Sequence, residues 1–217
     1  VDSWHEFSTD FLSWLAGQSR GSVIVAGHSL GAVVALRAAL QAPVHFRALV
    51  LLAPVLMSRV HLAARGISRF LRLDHSANSG VKRALRRRMV FDDLEQVFDA
   101  YRPRTVFRRF SDDRLRDVVG CLMRPCNGNV ELRFPPAWEA RIYSTAARHD
   151  SDLWNSLPSL RVPTLIVRGA ASDILSRNVC RTAQALCPAI ETAELPDATH
   201  LMPLEYPGQI AELVSGF

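Results

Sequence analysis

Long apolar runs are missing from this chain. No stretch of about 18 uninterrupted apolar residues occurs, so no membrane-spanning helix is expected. Cysteine is scarce and poorly spaced for metal. Cys121, Cys126, Cys180 and Cys187 form no C-x-x-C pair, and no histidine lies at zinc-finger distance from them. They read as reduced, structural thiols in a reducing compartment, and a cytoplasmic location is expected. Lysine is almost absent, since Lys82 stands against 25 arginines; that bias reports coding composition rather than mechanism. Internal repeats and low-complexity tracts are lacking, and the opening Val1-Asp2-Ser3-Trp4-His5-Glu6 resembles neither a start nor a signal peptide.

What remains is ordinary for a globular protein: 48% hydrophobic and 22% charged residues in a chain of 217. The charge is unevenly placed. Residues 57–150 hold 19 basic against 11 acidic side chains, whereas the remainder holds 7 against 10. Lys82-Arg83-Ala84-Leu85-Arg86-Arg87-Arg88 tempts a nucleic-acid reading. Acids follow at Asp92, Asp93, Glu95 and Asp99, so a solvated helix face is the preferred reading, and no nucleic-acid partner is expected.

Trp4, Phe7, Phe11 and Leu15 recur at helical spacing, ended by Gly17, and Ser3-x-x-Glu6 has the form of a capping box. Val23–Ala26 reads as a strand buried on both faces. Leu30 to about Gln41 reads as a helix, 48–53 as a second strand and 163–168 as a third. A helix over roughly 175–186, a less apolar strand over 190–195 and a last helix from about Leu204 complete the pattern. Strands alternating with helices imply an α/β fold with a parallel sheet. About 100 residues separate the second strand from the third, too many for a structureless loop. Their periodicity is mostly helical (Val81–Val90, Leu94–Ala100, Leu115–Met123, Trp138–Arg148), which predicts a helical insertion over 57–150 within a core of 1–56 and 151–217.

Gly27-His28-Ser29-Leu30-Gly31 falls where the first buried strand meets a helix. A residue on so tight a turn is pushed out at the C-terminal edge of the sheet, where ligands bind. Gly27 and Gly31 keep the two backbones from colliding, and the helix N-terminus offers free N–H groups to a developing anion. G-x-S-x-G in this context is a nucleophile elbow. Serine needs a base, and the base needs an orienting acid. Of the seven histidines, His5 lies in the first helix, His45 at the opposite sheet edge, and His61, His75 and His149 in the insertion. His28 is expected to pack. His200, after the last strand, is the candidate base. Asp173, four residues past Gly169, is the candidate acid, though it also suits a turn or the N-cap of the next helix. Asp197 is its rival, with Asp152 third.

These residues resemble the α/β-hydrolase superfamily, and among its members the cap-bearing serine esterases and lipases. The likeness is carried by Gly27–Gly31, by Val162–Gly169 leading to Asp173, and by Thr199-His200 with Glu205 and Pro207. The resemblance implies Ser29 as nucleophile, His200 as general base and then acid, Asp173 as its orienter, and the Leu30 backbone N–H as one oxyanion donor. It implies no metal and no organic cofactor, a small or medium apolar ester as substrate, and the insertion as a cap. Members commonly have more strands before the elbow and an HG-rich loop that gives the second oxyanion N–H. This sequence contains no such stretch and reads as the C-terminal two-thirds of such a hydrolase, with an open edge at Val23–Ala26. Cleavage of a C–C bond, thioester or lactone on the same triad, and a non-catalytic binding protein or inactive fragment on this scaffold, are the alternatives.

Overall fold

The computed structural model describes residues 2–18, 21–70, 79–146 and 150–217. It divides into two compact units, Val1–Asp74 with Thr145–Phe217, and His75–Ser144. In chain order the first unit opens with α1 (His5–Ala16), β1 (Val23–His28), α2 (Leu30–Gln41), β2 (Phe46–Leu52) and α3 (Arg59–Phe70). The second unit carries α4 (Ser79–Leu85), β3 (Val90–Phe91), α5 (Leu94–Tyr101), α6 (Asp112–Leu122), β4 (Met123–Cys126), β5 (Asn129–Leu132) and nearly all of α7 (Pro136–Thr145). The chain then returns to the first unit with α8 (Asp150–Ser156), β6 (Thr164–Gly169), α9 (Arg177–Leu186), β7 (Ile190–Leu195), α10 (Met202–Glu205) and α11 (Pro207–Gly216).

The first unit is built on a parallel sheet in the order β1-β2-β6-β7. Its central strands are continuous apolar runs because both faces are covered. One face, with Val50, Leu52, Leu165, Val167 and Leu195, packs under Met202 of α10 and Ile210 of α11. Period-2 alternation turns Leu49, Leu51 and Ile166 to the other face, where all three are fully buried. Three strands send their C-terminal ends to one edge: β1 into Ser29, β6 into the loop of Asp173, and β7 into the loop of His200.

The sequence expectations need four corrections. β1 is not buried on both faces: Ile24 is 59% exposed, because among the described residues β1 pairs with β2 alone. The second unit begins and ends inside the expected 57–150. Trp154 of α8 donates its indole N–H to the Met57 carbonyl (2.8 Å), and Asp150 pairs with Arg37 of α2 (2.8 Å), so both ends of that interval belong with the sheet. Nor is the second unit purely helical, since β3, β5 and β4 form an antiparallel sheet. Its hairpin turns at Asn127-Gly128, both at positive φ (49° and 82°), the two-residue signal that helical periodicity obscured. Finally, the closing helix is two, broken at Tyr206 because Pro207 cannot continue α10.

Two glycines mark where backbones meet. A Cβ on Gly27 would stand 2.5 Å from the Gly31 carbonyl oxygen, whereas a Cβ on Gly31 would meet nothing within 4 Å, so the close approach rests on Gly27 alone. A Cβ on Gly169 would stand 2.2 Å from the Ala198 carbonyl oxygen. Gly169→Ala is therefore expected to cost roughly 1–3 kcal/mol by overpacking, read as a lower urea midpoint. Gly120→Ala, on exposed α6 with open space around it, is expected to raise stability by roughly 0.5–1 kcal/mol. Equal effects at the two sites would refute the close approach.

Candidate active site

Ser29 sits between the last residue of β1 and the first of α2 with φ 56° and ψ −117°. That left-handed conformation strains a residue with a Cβ, and it is held by the amide hydrogen bond from Ser29 to the Leu52 carbonyl at the end of β2 (2.9 Å). The turn lifts the hydroxyl off the sheet. Leu30, the first residue of α2, has no preceding helical turn to receive its N–H, which lies at the positive end of the helix dipole.

His200 Nε2 lies 2.8 Å from Ser29 Oγ, across 171 residues of sequence. Its loop is fixed by a neighbour. Glu205, buried in α10, accepts from the Thr199 amide (2.7 Å) and the Thr199 hydroxyl (2.6 Å), so residue 199 is clamped and residue 200 is held by extension. Asp197 takes up the sharp turn at φ 59°. Burial first, and then the charge of His28, lower the His200 pKa to about 4, while Asp173 acts in the opposite direction. The imidazole is neutral at pH 7 and free to accept the Ser29 proton through Nε2.

Asp173 is brought to the same sheet edge but not into hydrogen-bonding contact. His200 Nδ1 is buried without a partner, and the Asp173 charge reaches it through space. The carboxylate is exposed, on the loop between β6 and α9. It is not the N-cap of α9, a role taken by Ser176, whose hydroxyl accepts from the Val179 amide. That loop is pinned at both feet. Arg168, nearly buried at the end of β6, donates to the carbonyls of Leu175 (3.2 Å) and Ala170 (3.3 Å) and is braced by Glu194. The Ala171 amide adds a bond to the Ala198 carbonyl (3.0 Å), tying the Asp173 loop to the His200 loop.

The other candidates stand elsewhere. His5 Nε2 receives Arg37 (2.9 Å), His45 precedes β2 at the far edge, and His61 is exposed on α3. His75 and His149 lie outside the described residues. Asp152 lies in the first turn of α8. Sequence reasoning set His28 aside as packing, quoted Glu205 only as part of the family resemblance, and gave Arg168 no role. A charge closing the apolar run of 164–167 was the available signal for Arg168, since such a group must find partners when buried. Of the basic run 82–88, Arg87 is engaged with Glu139 and Tyr101, and Arg88 lies over Phe91. None of the four cysteines is in a disulfide, and burial raises the Cys180 thiol to about 11. Among the described residues no group of three His, Cys, Asp or Glu is arranged for a metal ion, and no helix is long and apolar enough to cross a membrane.

A family model described as the alpha/beta hydrolase family matches residues 1–213, and the chain belongs to that family. A 3-hydroxybutyrate-oligomer hydrolase of Cupriavidus necator is 26% identical over 113 residues, 48% of this chain and 39% of that relative. The match thus spans well under half of the relative's length. Among solved structures, E-2-(acetamidomethylene)succinate hydrolase superposes with a TM-score of 0.78 at 20% identity, covering 100% of this chain and 74% of that one. An esterase of M. tuberculosis gives 0.73 at 20% identity, covering 99% and 68%. At these identities the likeness to the two structures is one of fold.

The lowered His200 pKa has a stability consequence. Between its ordinary value of 6.5 and about 4, the unfolded chain binds a proton at residue 200 that the folded site refuses. The unfolded state then carries more protons, so stability falls as pH drops through that window and is fully retained above it. The urea midpoint is expected to be lower at pH 5 than at pH 7, with His200→Gln narrowing the difference. An unchanged difference in that variant would place the titration elsewhere.

Proposed function

We propose that this chain carries the catalytic centre of a serine hydrolase that cleaves a carboxylic ester through an acyl-enzyme. The observation that carries the reading is the 2.8 Å contact between Ser29 Oγ and His200 Nε2 at the C-terminal edge of a parallel sheet. A serine on a strained elbow, bonded to a neutral imidazole at a helix N-terminus, is a nucleophile with its base in place.

In this scheme His200 Nε2 takes the Ser29 proton as Oγ adds to the ester carbonyl. The negative charge that moves onto the carbonyl oxygen is met by the Leu30 N–H and the positive end of α2. Collapse expels the alcohol, which receives the proton from His200. Water then attacks the acyl-serine, giving its proton to the same nitrogen, and the acid leaves as Ser29 recovers its hydrogen. In each half-reaction the imidazole becomes a cation with a proton on Nδ1 in a buried place. A carboxylate there stabilises that cation and fixes the tautomer. Asp173 supplies it by closing the remaining distance to Nδ1, which its loop position supports. The substrate is a small molecule of ester type, and the chemistry asks for no metal or organic cofactor.

Fluorophosphonate labelling and hydrolysis of short p-nitrophenyl esters test the assignment. Ser29→Ala is expected to abolish labelling and lower turnover by roughly 10⁶. Asp173→Asn is expected to lose about 10⁴ in kcat, while Asp197→Asn stays near wild type. Ester hydrolysis that survives Ser29→Ala would refute the reading, and the reverse order of the two aspartates would move the acid to residue 197.

A further inference from the structure

Ser29 and His200 come from the two outer strands of the sheet. With strands about 4.8 Å apart, the ends of β1 and β7 are separated by roughly 14 Å. The loop after β7 must therefore reach back over two strands to deliver its imidazole. A loop of that reach needs a fixed point on the nucleophile's side, because a 1 Å error in placement costs about 10²-fold in rate.

His28, the residue next to the nucleophile, provides one. Its Nε2 lies 2.7 Å from the main-chain carbonyl oxygen of His200. A carbonyl can only accept, so His28 Nε2 carries the hydrogen and donates it, which sets the tautomer of this ring. The two imidazoles also face each other with centroids 5.0 Å apart and planes inclined by 38°. His28 is partly buried, and burial holds its pKa below the ordinary value. The neutral, Nε2-protonated ring is therefore the form present at pH 7. Glu205 grips residue 199 from the α10 side, and His28 grips residue 200 from the β1 side. The base is held by its own backbone rather than by its ring alone.

We propose that His28 is a positioning residue: its N–H···O bond to the His200 carbonyl sets the separation of nucleophile and base, joining the elbow to the loop after β7. The inference rests on the serine hydrolase reading above. It concerns a side chain bonded to the backbone of the base, whereas the Ser29 hydroxyl is met by His200 Nε2.

The test compares His28→Leu, His28→Gln and His28→Asn in the full protein, reading fluorophosphonate labelling rate, kcat and KM for a p-nitrophenyl ester, and the thermal midpoint. Leu fills the space without a donor, Gln keeps an N–H at comparable reach, and Asn keeps the amide on a shorter arm. Leu and Asn are expected to lower labelling rate and kcat by about 10²-fold with KM within about two-fold, because only the transition state needs the aligned pair. Gln is expected to recover most of that loss. Normalising to active-site titre separates misplacement from misfolding, and Gln against Asn keeps the comparison between two polar variants if Leu fails to fold. Labelling as fast in Asn as in wild type, or Gln no faster than Asn, overturns the proposal. Loss of labelling in Ser29→Ala alongside either of those results leaves the hydrolase reading standing, whereas labelling that persists in Ser29→Ala removes both.

Discussion

The contact between Ser29 Oγ and His200 Nε2 is the interaction on which the site depends, and it is made by groups that the chain keeps far apart. Parallel pairing of β1, β2, β6 and β7 sends every strand end of interest to one edge. Close approach at Gly27 lets β1 pass the start of α2 at Gly31, and close approach at Gly169 lets the end of β6 pass the loop that carries His200.

Around that contact the polar groups act as braces. Glu205 holds Thr199, Arg168 holds both feet of the Asp173 loop, and the Ala171 amide links that loop to the one bearing His200. Each brace replaces solvent freedom with a charged or backbone hydrogen bond in a partly dry place, where such bonds hold geometry well. The exception is His200 Nδ1, buried with no acceptor. An unmade bond at a buried donor costs roughly 1–3 kcal/mol. Approach of the Asp173 carboxylate would recover that cost and raise the basicity that burial has suppressed.

Much of the core was legible from local pattern. The elbow residues, the parallel strands and their order in the chain follow from apolar runs, β-branching and punctuation by glycine and proline, which report local physics. The antiparallel sheet of the second unit was harder to see because β3 and β5 are short and lie among helical periods. Only the Asn127-Gly128 pair marks the hairpin. The exposed edge at β1 could be anticipated only through the family resemblance, because an apolar run states what a strand can bury, not which neighbour it has. The roles of His28 and Glu205 were hidden because each acts on another residue's backbone, and no side-chain pattern encodes a carbonyl or an amide.

By itself the sequence determined the kinds of chemistry present: one hydroxyl on a tight turn, one imidazole and one carboxylate placed after successive strands. Local sterics and hydrophobic period are enough for that, since both act within a few residues. Tertiary structure alone decided which atoms meet. It set the 2.8 Å contact at Ser29, left Asp173 short of Nδ1, and gave His28 a grip on the His200 backbone. Those outcomes depend on the spacing of strands and the paths of loops that lie apart in the chain, and such distances are properties of packing rather than of any segment.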